Sequence, residues 1–211
     1  MVDATPTPHP TPTPFPLERQ ARLAVFASGR GSNLASLLAA FPPDGKEPLA
    51  TVRLVLADRA EAAALERAAA AGVAAVHVPF EPDRAAFERR AEALLREYAI
   101  DLVCLAGFMR VLSADFVATW EGRVLNVHPS LLPAFRGLHA QRQALAAGVR
   151  ESGCTIHFVD AGVDTGRAIV QRRVPVQGGD DEDSLAARIL EQEHRAYPEA
   201  VRLVLRGEVT A

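Results

Sequence analysis

Short apolar runs alternate with segments of helical period through most of the chain. Residues 23–27, 52–57, 73–78, 102–106 and 124–127 are compact apolar stretches of strand length. Between them, residues 33–40, 61–71, 84–98 and 114–120 carry apolar side chains at helical spacing. Strands alternating with helices predict a parallel sheet covered on both faces. The last third changes rhythm. Residues 155–159 and 168–174 read as strands, and the loop 160–167 between them is too short for a crossover helix, so a hairpin-like antiparallel addition is expected. Residues 184–205 form a long amphipathic pattern behind Asp180-Asp181-Glu182-Asp183, an acidic run that suits a helix N-terminus through its dipole. Pro198 is expected to break or bend that helix. The predicted fold class is α/β: a single-domain, mostly parallel Rossmann-like sheet with helices on both faces and an antiparallel strand at the C-terminal end.

Composition narrows this picture. A chain of 211 residues, 49% of them hydrophobic, can bury one substantial core but leaves little for a second domain. Residues 5–16 alternate threonine with proline almost throughout, which favours an extended polyproline-like conformation, so residues 1–20 are expected to be a disordered tail and 21–211 the globular part. Net charge is only -3 and the arginines are scattered, so no basic block of the kind that neutralises a phosphate backbone exists and nucleic acid is not an expected partner. Nor is a membrane. No apolar stretch approaches the roughly 18 residues of a span, and the N-terminus lacks a basic region followed by an apolar one. A soluble cytoplasmic protein is expected. Cys104 and Cys154 each stand alone in an apolar predicted strand, which points to core packing in a reducing compartment rather than to a disulfide. Lys46, the only lysine, falls in the loop Pro42-Pro43-Asp44-Gly45-Lys46, so neither a P-loop lysine nor a buried Schiff-base lysine has a candidate.

Candidate chemistry concentrates where predicted strands end. In Asn126-Val127-His128-Pro129-Ser130-Leu131-Leu132-Pro133, side chains two apart on an extended chain share a side, so Asn126 and His128 can reach one reacting centre. An amide donor beside an imidazole suits acyl or formyl transfer: one stabilises an oxyanion, the other moves a proton. Ser28-Gly29-Arg30-Gly31-Ser32-Asn33 follows the first strand and opens the first helix, where backbone N–H groups collect an anion. A dinucleotide fingerprint would need glycine at position 34. Leu34 stands there, although Asp58 supplies the acid after the second strand, and a single phosphate is the better fit. Asp164, in the loop between the late strands, is either a simple turn residue or a carboxylate for His128, a pairing that favours the imidazolium. Phe108-Met109-Arg110-Val111-Leu112, at the carboxyl edge of the fourth strand, reads either as core packing or as an apolar slot with one cation, suited to a flat heterocycle. His157 alternates with core positions and reads as a satisfied core histidine. His128 and His139 are eleven apart, which matches no zinc spacing, and no metal is expected.

Together these stretches resemble the phosphoribosylglycinamide formyltransferases, folate-dependent enzymes of purine synthesis, over residues 22–206. The resemblance is carried by Ser28-Gly29-x-Gly31-Ser32-Asn33-Leu34, by Leu105-Ala106-Gly107-Phe108-Met109-Arg110, and by Asn126 to Pro133 continuing into Phe135-x-Gly137-x-His139-Ala140-x-x-Gln143-Ala144-Leu145. Asp164-Thr165-Gly166 and Gln192-Glu193-His194-x-x-Tyr197-Pro198 complete it. It implies a formyltransferase domain over 21–211 that moves the formyl group of 10-formyltetrahydrofolate to the amine of glycinamide ribonucleotide, with Asn126, His128 and Asp164 as the catalytic group. It also implies that Gly31, Ser32 and Asn33 take the ribonucleotide phosphate and that Glu193 meets the ribose or glycinamide part. Arg84, Met109, Arg110, Val111, Leu112, Asp160, Ala161, Gly162 and Val163 would line the folate site, without a metal, in a monomer or homodimer. Two positions depart from the usual pattern: Arg167 stands where a proline is common, and Ala161 where an acid is.

Three alternatives are distinguishable. Formyltetrahydrofolate deformylase uses a similar Asn-x-His arrangement with water as acceptor but carries an additional N-terminal domain, which a Thr-Pro tail does not resemble. Methionyl-tRNA formyltransferase carries a C-terminal extension and a basic surface. A non-catalytic nucleotide-binding module would use the glycine loop and leave His128 structural.

Overall fold

The computed structural model describes residues 15–80 and 82–211. In chain order the elements are β1 (Ala21–Ala27), α1 (Ser32–Ala40), β2 (Ala50–Ala57), α2 (Ala63–Ala70), β3 (Ala74–His77), α3 (Arg84–Glu97), β4 (Leu102–Leu105), α4 (Ala114–Thr119), β5 (Val124–His128), α5 (Ala140–Ala146), β6 (Glu151–Phe158), β7 (Ala168–Pro175) and α6 (Glu182–Leu205). One seven-stranded sheet runs β3-β2-β1-β4-β5-β6-β7. The first five strands are parallel, while β6 is antiparallel to β5 and β7 to β6. The expected sheet, including its antiparallel end, is therefore present.

Strand periodicity explains why helices lie on both faces. Leu23, Val25 and Ala27 of β1 join one buried cluster while Ala24 and Phe26 join the other; Leu102 and Cys104 of β4 divide from Val103 and Leu105 in the same way. Neither face can stay wet, because alternate residues on both sides are apolar. Leu34 and Leu37 of α1 and the apolar stripe of α6 cover the first face; Phe87, Leu94 and Leu95 of α3 and Phe116 of α4 cover the second. Phe26, Phe87 and Phe108 meet ring to ring at centroid distances of 5.6 to 6.3 Å, contacts worth about 0.5–1.5 kcal/mol each beyond their burial. Phe108 thus anchors the segment leaving β4 to the core.

Four features differ from expectation. The helix α5 was not evident in the apolar pattern, since its Ala140 and Ala144 bury little surface each. β6 begins at Glu151, four residues before the apolar run that predicted it. α6 continues through Pro198 without a break. A helix-interior proline costs about 3 kcal/mol, but Pro198 is itself buried, and Leu185, Ile189, Val201 and Val204 on the same helix each bury a side chain worth about 1.5–3 kcal/mol. Finally, the Thr/Pro tail lies outside the described residues as far as residue 14, whereas Phe15 and Leu17 pack against the first cluster and Arg19 pairs with Asp101 at 2.7 Å.

Tyr197 ties α6 to the strand ends. Its hydroxyl, fully buried, lies 3.0 Å from the carbonyl oxygens of both Leu105 and Leu125. These are the residues just before the Ala106-Gly107-Phe108 turn and just before Asn126, so the anchor sits directly beneath the carboxyl edge of the sheet. Burial pushes the thiols of Cys104 and Cys154 up to about 12, which leaves both as inert core sulfhydryls at neutral pH. No helix among the described residues is long and apolar enough to cross a membrane.

Candidate active site

Strand order reverses between β1 and β4, and in open α/β sheets that is where a crevice opens. Two loops meet there. Ser28 N donates to Gly107 O at 3.1 Å, and Met109 N donates to Ser28 Oγ at 2.9 Å, so the glycine loop after β1 and the segment after β4 are fastened together. Beside them lies a cavity of about 580 Å³, within the range of small-molecule sites.

Asn126 and His128 stand on β5 with a common direction, as the two-residue spacing requires, and both reach Asp164. His128 Nδ1 is 3.2 Å from Asp164 Oδ2, and Asn126 Nδ2 is 3.4 Å from Asp164 Oδ1. Gly137 N donates to Oδ2 at 2.9 Å. The Asp164 side chain is only 11% exposed and that of His128 6%, so this is a sheltered ion pair rather than a surface contact. Burial by itself raises the Asp164 carboxyl, but the His157 and Gly137 contacts, together with the charge of the two histidines, outweigh it and hold the group below the ordinary carboxylate range. Asp164 is therefore ionised at neutral pH. His128 Nε2 lies 2.8 Å from the carbonyl oxygen of Phe135. Both ring nitrogens thus face oxygen acceptors, and only the doubly protonated ring can donate to both.

The loop carrying Asp164 is braced from within. Thr165 Oγ1 donates to Asp160 Oδ1 at 2.6 Å and Gly162 N donates to the same oxygen at 3.1 Å. Asp164 itself adopts φ 52, a left-handed conformation uncommon for a residue with a side chain. The segment following His128 is pinned as well: Thr155 Oγ1 donates to Ser130 O at 2.7 Å and accepts from Leu132 N at 3.1 Å.

His157 was expected to be a core histidine. It is buried at 2% exposure, yet it belongs to the site. Its Nδ1 donates to Phe158 O at 2.7 Å, which leaves Nε2 3.3 Å from Asn126 Nδ2 and 3.6 Å from Asp164 Oδ1. Nothing local in the sequence pairs β6 with β5, so there His157 reads as core alone. Antiparallel register sets His157 directly opposite Asn126, on the same face. Leu138 and His139 also line the cavity unforeseen, on the turn before α5.

Of the other expected site residues, Met109, Arg110, Val111, Leu112, Asp160, Ala161, Gly162 and Val163 all line the cavity. Met109, Val111 and Val163 are more than half exposed at its mouth, which forms an apolar rim. Arg110 donates to Asp58 at 2.7 Å and lies over the Phe80 ring at 5.1 Å, so its charge is already balanced by a buried carboxylate. Arg84 is exposed at the start of α3 and is not among the lining residues. Gly31, Ser32, Asn33 and Glu193 form a separate cluster around the first turn of α1. Asn33 Nδ2 donates to Glu193 Oε2 at 2.7 Å, deep in the protein, while Asn33 Oδ1 is buried without a partner. Burial raises the Glu193 carboxyl, and the Asn33 bond only partly offsets this. No group of acidic, histidine or cysteine side chains able to hold a metal occurs among the described residues.

Comparison with known proteins places the chain in a family. The formyl transferase family profile matches residues 21–201. The chain is 47% identical over 192 residues to the trifunctional purine biosynthetic protein adenosine-3 of Drosophila melanogaster, covering 90% of this chain but only 14% of that protein. It is 45% identical to the phosphoribosylglycinamide formyltransferase of Escherichia coli strain K12, over 83% of each chain. Among solved structures, glycinamide ribonucleotide transformylase 1 of Symbiobacterium toebii superposes with a TM-score of 0.84 at 47% identity, over 90% of both chains.

Proposed function

The chain belongs to the formyl transferase family, and we propose that it transfers the formyl group of 10-formyltetrahydrofolate to the amine of glycinamide ribonucleotide, giving formylglycinamide ribonucleotide and tetrahydrofolate. The carrying observation is the single carboxylate of Asp164 set between His128 and Asn126 at the edge of a cavity with an apolar rim. The pterin and benzoyl portions of the folate occupy that cavity, with Met109, Val111 and Val163 at its mouth. The ribonucleotide lies on the neighbouring cluster, its phosphate on Gly31, Ser32 and Asn33 and its ribose or glycinamide part against Glu193.

The amine attacks the formyl carbon. The oxyanion that forms takes hydrogen bonds from Asn126 Nδ2 and from His128 Nε2–H, and Asp164 keeps the imidazolium charged and oriented. For Nε2 to serve that oxygen, the Phe135 carbonyl must give up its place, a tightening that catalytic hydrogen bonds commonly undergo only when substrate is bound. The proton released by the amine passes through water and Asp164 towards N10 of the folate as the carbon–nitrogen bond to it breaks.

Acceptor dependence tests this reading directly. Purified protein is expected to convert 10-formyltetrahydrofolate to tetrahydrofolate only when glycinamide ribonucleotide is present, followed by absorbance, with no formate released. Formate production without the acceptor would identify a hydrolase instead.

Glu193 gives a second test, in which stability and binding move in opposite directions. Its raised carboxyl pKa means that its contribution to stability is complete below the unfolded value of about 4.3 and is lost as pH rises through the folded one. The Glu193→Gln protein should therefore melt at a higher temperature than the parent at pH 8, with the difference shrinking as the pH approaches about 4. KM for the ribonucleotide should rise about tenfold, the scale of one charge-assisted hydrogen bond. A variant that is less stable than the parent at pH 8 would contradict the assignment of a buried, charge-strained Glu193.

A further inference from the structure

One wall of the cavity is the irregular segment between β4 and α4, which lies outside the sheet. Burial alternates along it: Met109 and Val111 are exposed at the mouth, whereas Phe108 and Leu112 are buried behind them. Both ends are fastened. Met109 N donates to Ser28 Oγ at 2.9 Å, and Ser113 N and Oγ each donate to the Glu88 carboxylate of α3 at 2.6 Å. Between these points the main chain of Val111 and Leu112 makes no hydrogen bond to other backbone among the described residues. The middle of the wall therefore keeps its shape through side chains.

Arg110 supplies the longest of those tethers. In the sheet β1 lies between β2 and β4, so the Arg110 side chain reaches across the end of β1 to meet Asp58, the residue directly after β2, with Nε donating to Oδ2 at 2.7 Å. Its guanidinium carbon lies 5.1 Å from the centre of the Phe80 ring, and Phe80 packs in turn on Phe87 and on Phe108, which anchors the start of the same segment. The Asp58 side chain is fully buried, and its Oδ1 has no hydrogen-bond partner among the described residues. A buried ion pair adds little to stability, because desolvation offsets the attraction, but it does hold one geometry. We infer that Asp58 is a positioning residue for the folate site. It draws Arg110 back into the protein, where the arginine serves as a strut behind Met109 and Val111 and not as a ligand for the carboxylates of the folate tail.

This inference rests on the folate-binding reading above, and KM values for two formyl donors test it. 10-Formyltetrahydrofolate and 10-formyltetrahydropteroate share the heterocycle and the benzoyl group, but the second lacks glutamate. In Asp58→Ala the Arg110 side chain, already 26% exposed, can turn to solvent, so the fold is expected to survive. KM should rise about tenfold for both donors alike, the scale of one charge-assisted hydrogen bond. Over the same comparison kcat and the KM for glycinamide ribonucleotide should change about twofold at most, whereas a folding defect would lower kcat and leave the KM of the active fraction in place. Asp58→Asn keeps the shape and still accepts from Nε, so its KM should rise less, about threefold and again equally for both donors; it is the variant to measure if the alanine protein does not fold. A rise confined to 10-formyltetrahydrofolate would make Arg110 a ligand of the tail, and unchanged KM for both donors in both variants would leave Asp58 without a part in the site. Either result overturns the inference alone. A parent protein that transfers no formyl group from either donor to glycinamide ribonucleotide overturns the folate reading and this inference with it.

Discussion

Replacing His128 with alanine should lower turnover by roughly 10²-fold or more, the scale of a lost acid–base or oxyanion-binding group. Asp164→Asn should do nearly as much for a different reason. The amide keeps the shape of the carboxylate and can still accept from Gly137 N, but it carries no charge to set against the His128 ring 3.2 Å away. Because the two residues act as one unit, the double variant should be hardly slower than the worse single one. Losses that multiplied would mean two independent roles. Stability supplies a control that involves no substrate. Asp164 titrates below the ordinary carboxylate range, so its favourable contribution is present above the unfolded value of about 3.9 and disappears as pH falls through the folded one. The Asp164→Asn protein should melt below the parent at pH 7, with the gap closing in acid. Unchanged turnover in either single variant, with folding intact, would remove that residue from the mechanism.

Much of the fold was legible because burial on both faces of a parallel sheet leaves a strong mark. Strands such as 102–106 are apolar at every position, and only a sheet covered on both sides needs that. Asn126 and His128 were legible for a local reason, since period-two geometry places them together whatever the rest of the chain does. His157 was not. Its role depends on which strand lies beside β5 and in what register, and an antiparallel partner thirty-one residues away leaves no local trace. Tyr197 is a similar case: it stood in a recognisable motif, but its hydroxyl bridge to Leu105 and Leu125 follows from how α6 lies on the sheet. Arg84 shows the reverse: the resemblance implied a contact, and the structure leaves the residue on the surface outside the cavity.

Gly166→Ala should be nearly as damaging as the loss of a catalytic group, although Gly166 does not line the cavity. A Cβ there would stand 1.9 Å from the carbonyl oxygen of Phe158 and 2.8 Å from its carbon. Both are backbone atoms at the end of β6, beside the 3.0 Å bond from Phe158 N to Arg167 O that closes the loop. Nothing flexible is available to yield, so the loop itself must shift, and it carries Asp164 two residues away. A displacement of about 1 Å at a reacting constellation can cost on the order of 10²-fold in rate. The expected result is that loss in kcat, with the fold retained by near-ultraviolet circular dichroism. Gly162→Ala provides the comparison. Its Cβ would fall 2.0 Å from Thr165 Oγ1, a hydroxyl that can rotate away at the cost of its bond to Asp160, so the penalty should be several-fold rather than a hundredfold. If the two variants were equally impaired, internal bracing by Asp160 and Thr165 would be what presents Asp164; if only Gly166→Ala fails, its presentation depends on how closely the loop approaches the end of β6.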